Sequence, residues 1–347
     1  MMFEAGFHES FSLGDRKVGP GEPVLFIAEA GVSHFGDIAI ARDLVDLAAD
    51  AKADVFKTQF FDVEEMIAAR ASEWRDRLRP RNLTLDQAAE INERCASKGM
   101  LFMATAHDPS RIPWLEALDV PAIKVGSGER SNPGFLTELA RLGKPMVVST
   151  GMYSASDVAE ALRACRAGGC DAVALLHCVT AYPTPDEDVN LGAMDVLGGL
   201  FGGPVGYSDH TPDHAAILAA VARGARVIEK HITTLFNVPN AQDWKVSAGP
   251  DDLPQLVAAI RRTEKQLGHG RKEVAPSEMA GQAWALKSLV AGRDLPAGHV
   301  LAGDDLMAKR PGDGIHPNRI DDVLGMRLKQ AIAADEPLAM ALLERAE

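Results

Sequence analysis

Val205-Gly206-Tyr207-Ser208-Asp209-His210 and Arg226-Val227-Ile228-Glu229-Lys230-His231 decide how this chain is read. Each is a short β-like run closing on a histidine, and Asp213 to Arg223 between them has the pattern of a helix. Strand, helix and strand in so short a span make two parallel neighbours of an α/β sheet. The two imidazoles then stand side by side at the carboxyl ends of adjacent strands. A lone histidine there is usually structural, but two neutral rings in register suit a divalent transition metal.

Working outward, apolar β-branched runs recur at 23–28, 53–57, 100–105, 121–125, 145–149, 172–177, 204–207 and 226–230, with helical patterns between. The first helical pattern places Ile40, Leu44, Leu47 and Ala51 on one face. The second opens with Thr84-Leu85-Asp86-Gln87, a capping-box pattern. The last aligns Leu253, Leu256, Val257, Ile260 and Leu267. Eight such units in about 250 residues predict an α/β fold of the (β/α)8 TIM-barrel type. An open doubly wound sheet is the weaker reading, because no Gly-x-Gly-x-x-Gly turn follows the first strand. The barrel is expected over residues 1–268, a Gly- and Pro-rich linker over 269–282, and a small turn-rich β domain over 283–347. A domain that small is expected to lean on another surface.

The formal net charge of −13 argues against non-specific nucleic-acid binding, which needs a basic surface. It leaves room for a small anion held by a few focused cations. No apolar run is long enough to span a membrane, and Met1 to Glu9 lacks the basic and apolar regions of a signal peptide. The cysteines, Cys95, Cys165, Cys170 and Cys178, form no Cys-x-x-Cys pair, so reduced thiols in a cytoplasmic protein are expected. Cys178 in its apolar run reads as a core filler.

In a barrel the active site lies at the carboxyl ends of the strands. The polar residues there are Glu29; Lys57 and Gln59; Thr105; Lys124, Ser127 and Glu129; Ser149 and Thr150; Thr180 and Tyr182; Ser208, Asp209 and His210; and Glu229 and His231. Strand ends are polar anyway because they meet loops, but lysines inside apolar strands are rarely buried without a partner. Lys57 and Lys124 are placed to hold a phosphate or carboxylate. The Gly126-Ser127-Gly128 turn adds backbone N–H groups suited to an anion. Lys230 alternates with Glu229 and His231, so it is expected to point out of the barrel.

These residues resemble the N-acetylneuraminate (sialic acid) synthase family of nonulosonate synthases over nearly the whole chain. The resemblance rests on Ile27-Ala28-Glu29-Ala30-Gly31 with His34 and Gly36; Lys57-Thr58-Gln59; Lys124 to Glu129; Ser149-Thr150-Gly151-Met152; Leu175 to Cys178 with Tyr182-Pro183-Thr184-Pro185; Ser208 to Thr211; and Glu229-Lys230-His231. Lys309-Arg310-Pro311-Gly312-Asp313-Gly314 is similar to the antifreeze-like (SAF) domain that ends such enzymes. The resemblance implies that phosphoenolpyruvate condenses with the open-chain aldehyde of an N-acylated hexose such as N-acetylmannosamine, giving a nine-carbon α-keto acid and phosphate. Legionaminate or pseudaminate synthesis from a 6-deoxy di-N-acetylated hexose is the alternative. It also implies a divalent metal, Mn²⁺ with Mg²⁺ or Co²⁺ as alternatives, on His210 and His231. Glu29, Lys57, Lys124, His210, His231 and Arg310 would form the catalytic set, with Gln59, Thr105, Ser127, Glu129, Ser149, Thr180, Tyr182, Ser208 and Asp243 contacting substrate. A domain-swapped homodimer would carry Arg310 into the partner's site. The chain departs from the commoner pattern at Ser33, Ala106-His107, Thr180 and Asn240 to Asp243, positions expected to lie around the sugar.

Other readings are a barrel making a seven- or eight-carbon keto acid, which the C-terminal domain disfavours, and a non-catalytic carbohydrate-binding barrel, which the intact lysines and histidines disfavour. A metallohydrolase barrel would carry His-x-His on its first strand, where this chain has Ala28-Glu29-Ala30.

Overall fold

The computed structural model describes residues 6–346. A short antiparallel hairpin comes first, β1 (Phe11–Leu13) and β2 (Arg16–Val18). Eight parallel strands follow: β3 (Leu25–Gly31), β4 (Val55–Phe60), β5 (Leu101–Ala106), β6 (Ile123–Val125), β7 (Met146–Ser149), β8 (Val173–Cys178), β9 (Val205–Asp209) and β10 (Val227–His231). They pair in sequence order, and β10 closes on β3, making the expected TIM barrel. All eight predicted runs are strands, with ends displaced by a few residues.

Strand periodicity sets what fills the barrel. Leu25, Ile27, Val55, Met103, Ala122, Val147, Ala174, Leu176 and Val227 form one buried cluster, and Leu13 and Val18 of the hairpin join it. Continuing inward positions toward the carboxyl ends gives Glu29, Lys57, Thr105, Lys124, Ser149, Ser208 and Glu229, so the apolar packing gives way to polar residues. Gly206 sits where a methyl group would collide with the Val227 carbonyl and the Leu176 side chain. Outward residues such as Phe26, Phe56, Phe102, Leu175 and Ile228 pack under the helices.

The helices form where the sequence signals them. Thr84 Oγ1 accepts from the Gln87 backbone N–H (3.2 Å), and Gln87 Oε1 accepts from the Thr84 N–H (2.9 Å), completing the predicted capping box ahead of helix Leu85–Ser97. Helix Ile38–Asp50 buries Leu44 and Leu47, and helix Ala215–Ala222 occupies the stretch expected between the two histidine strands. Helix Leu253–Leu267 buries Leu253, Leu256, Val257 and Ile260. Leu267, expected on that face, is 49% exposed at the last turn, where the helix has run past the barrel core.

The chain divides into two compact units, Met1–Gly268 and His269–Glu347. The second holds the antiparallel pairs β11 (Ser288–Ala291) with β12 (Leu306–Lys309) and β13 (Met326–Leu328) with β14 (Leu343–Arg345). Its core gathers Leu289, Leu295, Leu301, Ile315, Val323, Leu328, Ile332 and Leu338. The stretch read as linker is partly helical, over Pro276–Glu278 and into Met279–Ala285, where Pro276 opens the first turn and the Glu278 carboxylate accepts from the Ala275 N–H at 2.8 Å. Among the described residues no helix is long and apolar enough to cross a membrane. The four cysteines are free and buried.

Candidate active site

A cavity of about 730 Å³ opens at the carboxyl end of the barrel. Strand register assembles its floor: Glu29 is opposite both His231 and Lys57, Gln59 opposite Thr105, Thr105 opposite Lys124, and Ser208 opposite Glu229. All of these line the cavity, and Glu29, Lys57, Lys124, Ser149, Ser208 and Glu229 are buried.

The floor is an ionic network. Lys57 Nζ lies 3.0 Å from Glu29 Oε2, 3.4 Å from Glu229 Oε2 and 3.5 Å from Thr105 Oγ1. Lys124 Nζ donates to Ser149 Oγ at 2.7 Å and to the Val125 carbonyl at 2.8 Å, with Glu229 Oε1 3.9 Å away. Ser208 Oγ donates to Glu229 Oε1 at 2.9 Å. Burial works to push the Glu229 carboxyl up, but the Lys124 and Lys57 ammoniums and the Ser208 hydroxyl outweigh it and hold it at about 2. Burial opposes the Lys57 charge as well, and Glu229 and then Glu29 more than compensate, raising that ammonium. Lys124 is lowered, first by burial and also by Lys57, because Glu229 alone answers it closely. Two buried cations beside one another, with lone pairs and hydroxyls around them, can receive a small polyanion.

His210 and His231 face each other with ring centroids 5.4 Å apart, and Tyr182 stacks on His210 at 4.1 Å. His210 Nδ1 donates to the Val179 carbonyl at 2.7 Å, since a carbonyl only accepts, and this leaves the Nε2 lone pair free. Burial, then the neighbouring His231, holds the His210 ring down to about 4, so the ring is neutral near pH 7. His231 Nδ1 is a buried polar atom with no protein partner. The donor set therefore fits one divalent cation. No group of three His, Cys, Asp or Glu side chains assembles into a metal site among the described residues, so water and substrate oxygens would complete the coordination.

The remaining expected residues ring the cavity: Gln59, Ser127, Glu129, Thr180, Tyr182 and Asp243 all line it. Gln59 Nε2 donates to Glu29 Oε1 at 2.8 Å. Ser127 Oγ accepts from the Gly151 N–H at 2.9 Å, and a methyl group on Gly151 would collide with Ser127 and Thr180. Burial raises the Glu129 carboxyl against a hydrogen bond from Asn132. Gln59, Glu29 and Asp243 converge at Gly31, whose φ of +55° marks the bulge at the end of β3. Arg310 belongs to the second unit, where its guanidinium lies 5.7 Å from the Trp284 ring centroid.

Three features of the site were not carried from the sequence. The sequence puts Glu229 on the inner face with His231, as a proton-moving group or a partner of the histidines, but gives no sign that it pairs with Lys57 and Lys124. Cys178 lines the cavity 3.7 Å from His210 Nδ1 as well as filling space; burial pushes its thiol up to about 11, so it is no nucleophile at neutral pH. Trp74, Arg77 and Arg81 form part of the rim, contributed by a long β–α connection whose path no periodicity announced. Lys230 does point away from the cavity, in a fully buried pair with Asp209 (2.5 Å).

Buried lysines, carboxylates and paired histidines gathered at the carboxyl face of a TIM barrel are the arrangement of an α/β-barrel enzyme. The chain belongs to the NeuB family, whose model matches residues 44–272, and it is a synthase of that type. A SAF domain matches residues 287–344. The chain is 36% identical over 327 residues to the N,N'-diacetyllegionaminic acid synthase of Campylobacter jejuni, covering 90% of this chain and 98% of that protein. It is 32% identical over 346 residues to human N-acetylneuraminate-9-phosphate synthase, covering 95% of each. Its structure resembles that of the N-acetylneuraminic acid synthetase of Leptospira borgpetersenii, crystallised with citrate, with a TM-score of 0.74 and 34% identity over 80% of this chain and 96% of that one.

Proposed function

We propose that this chain condenses phosphoenolpyruvate with the open-chain form of an N-acylated hexose of the N-acetylmannosamine type, releasing phosphate and a nine-carbon α-keto acid. The observation that carries this reading is the pair of buried ammoniums, Lys57 and Lys124, on the floor beside His210 and His231. Phosphoenolpyruvate brings about three negative charges near neutral pH, from its phosphate and carboxylate. Lys57 and Lys124, with the Ser149 hydroxyl and the Ser127 turn, supply charge-assisted donors for them. A divalent cation on His210 and His231, Mn²⁺ foremost, would polarise the aldehyde oxygen. Glu29 and Asp243 supply acceptors for sugar hydroxyls where they converge with Gln59. Holding the enol carbon against the aldehyde is the main service the fold performs. The reading includes a homodimer in which Arg310 serves the partner's site, and a cytoplasmic setting, where phosphoenolpyruvate is available.

The test is phosphate release from phosphoenolpyruvate across a panel of N-acetylmannosamine, its 6-phosphate, and 6-deoxy di-N-acetylated hexoses, with and without metal. Release that needs both sugar and metal is the expected result, and the preferred sugar names the product. Release from none of them sinks the reading.

A further inference from the structure

His107 follows β5 and lines the cavity, and the reading above gives it no task. Its Nε2 lies 3.3 Å from Gln59 Oε1, and no described residue engages its Nδ1. Gln59 in turn donates through Nε2 to Glu29 Oε1, at 2.8 Å, while Lys57 holds Glu29 Oε2 at 3.0 Å.

The order of protons along this chain is forced. The Glu29 carboxylate offers only acceptors, so the Gln59 amide turns its NH₂ toward Glu29. Its carbonyl oxygen then faces His107, and a carbonyl only accepts. Nε2 of His107 must therefore carry the ring proton, which leaves Nδ1 as a free acceptor on the cavity wall. Burial, with Lys57 and Lys124 acting in the same direction, holds the ring down to about 4 against the opposing Asp108, so it stays neutral near pH 7. Glu29 sets which way the Gln59 amide faces, and the His107 Nε2–H bond to its oxygen is the second tether that holds the amide in that orientation. The flipped amide would set its oxygen against the Glu29 carboxylate and turn that carboxylate away.

We propose that His107 is a positioning residue for the acceptor sugar: its Nε2–H locks the Gln59 amide, and through it the Glu29 carboxylate, in the orientation that receives the sugar. This rests on the acceptor being an N-acylated hexose bound near Glu29. It names a role for a residue at which the chain departs from the commoner pattern.

Two measurements test it. The first needs no substrate. Nitrogen-15 NMR of histidine-labelled protein, with His107 assigned by its absence in His107→Phe, should show the Nε2–H tautomer near neutral pH. The Nδ1–H tautomer overturns the proposal. The second is kinetic. His107→Phe keeps a flat ring but no donor, and kcat/KM for the sugar should fall about tenfold, with phosphoenolpyruvate affinity unchanged. His107→Gln, whose amide N–H stands in for Nε2–H, should recover most of the loss. A His107→Phe enzyme within about twofold of the parent, or a Gln variant no better than Phe, overturns the proposal. If the parent protein acts on no sugar of the panel, the proposed function falls, and the tautomer alone decides whether His107 orders Gln59.

Discussion

Glu229 Oε2 lies 3.4 Å from Lys57 Nζ across the barrel interior, on strands that are not neighbours, with both side chains buried. A carboxylate so placed, 3.9 Å from Lys124 Nζ as well, offsets the repulsion between the two ammoniums. Glu229→Gln leaves Lys57 to Glu29 and leaves Lys124 without a close anion. Breaking a buried pair by removing one partner costs about 3–5 kcal/mol, and the low end applies because Glu29 remains. Urea unfolding should show that loss, and saturating phosphoenolpyruvate should restore much of it, its charges replacing the missing carboxylate. Unchanged stability without ligand would show that the pair does not matter.

Lys57→Met and Lys124→Met remove charge at similar bulk. A hydrogen bond to a charged group contributes about 1.5–3 kcal/mol, so phosphoenolpyruvate affinity should fall roughly ten- to hundredfold in each. Metal content should not change, since neither lysine touches His210 or His231. Calorimetry giving the parent affinity in both variants would remove these lysines from the anion site.

Histidines held neutral by desolvation should shape the acid limb of stability. Desolvation holds His34 down to about 4 from its usual 6.5, and His107 and His210 likewise. Between those values the unfolded chain binds the proton and the folded chain does not, so stability falls as pH drops from about 6.5 to about 4. Each contributes a slope of about 1.4 kcal/mol per pH unit in the middle of that window. His34 Nδ1 accepts from the Gly36 N–H at 3.0 Å, and an asparagine oxygen can take that place. His34→Asn should therefore keep the fold and flatten the curve by one proton's slope. An identical slope would mean that His34 is protonated in the folded state.

How much of this was legible in the sequence follows from periodicity. Alternation along β10 gave Lys230 its outward direction, and the buried Asp209–Lys230 pair is the reason a lysine survives there. The same alternation put Glu29, Lys57, Lys124 and His231 at the floor, because each closes an apolar strand whose partners on the inner face are known. It could not weigh Glu229, whose importance arises from two lysines brought close only when the barrel shuts. Nor could it place His107 against Gln59, a contact between neighbouring strands that depends on register, or the rim residues Trp74, Arg77 and Arg81. Leu267 misled because helical spacing continues past the point where there is a core to face.

The metal reading stands on His210 and His231. Two protein donors, with water and substrate supplying the rest, bind more weakly than a closed site of four. Chelator treatment followed by gel filtration should strip the cation and abolish phosphate release, and Mn²⁺ should restore it. His210→Ala and His231→Ala should each lose metal content along with activity. Full activity of His210→Ala in chelator-treated buffer would rule the site out.

Arg310 is an exposed residue of the second unit, and among the described residues it makes no ion pair, only the approach to Trp284. A guanidinium offers a rigid fork of donors to a sugar's amide or hydroxyl oxygens, and its arrival would help exclude water from the cavity. If it acts in the partner's site, two inactive proteins should complement. Mixing His231→Ala with Arg310→Ala under subunit exchange yields mixed dimers. In these the Arg310→Ala chain supplies an intact barrel and the His231→Ala chain supplies the arginine. One working site per mixed dimer should then appear, with the phosphoenolpyruvate affinity of the parent. An absence of recovered activity, with exchange confirmed independently, would place Arg310 either in its own chain's site or in none.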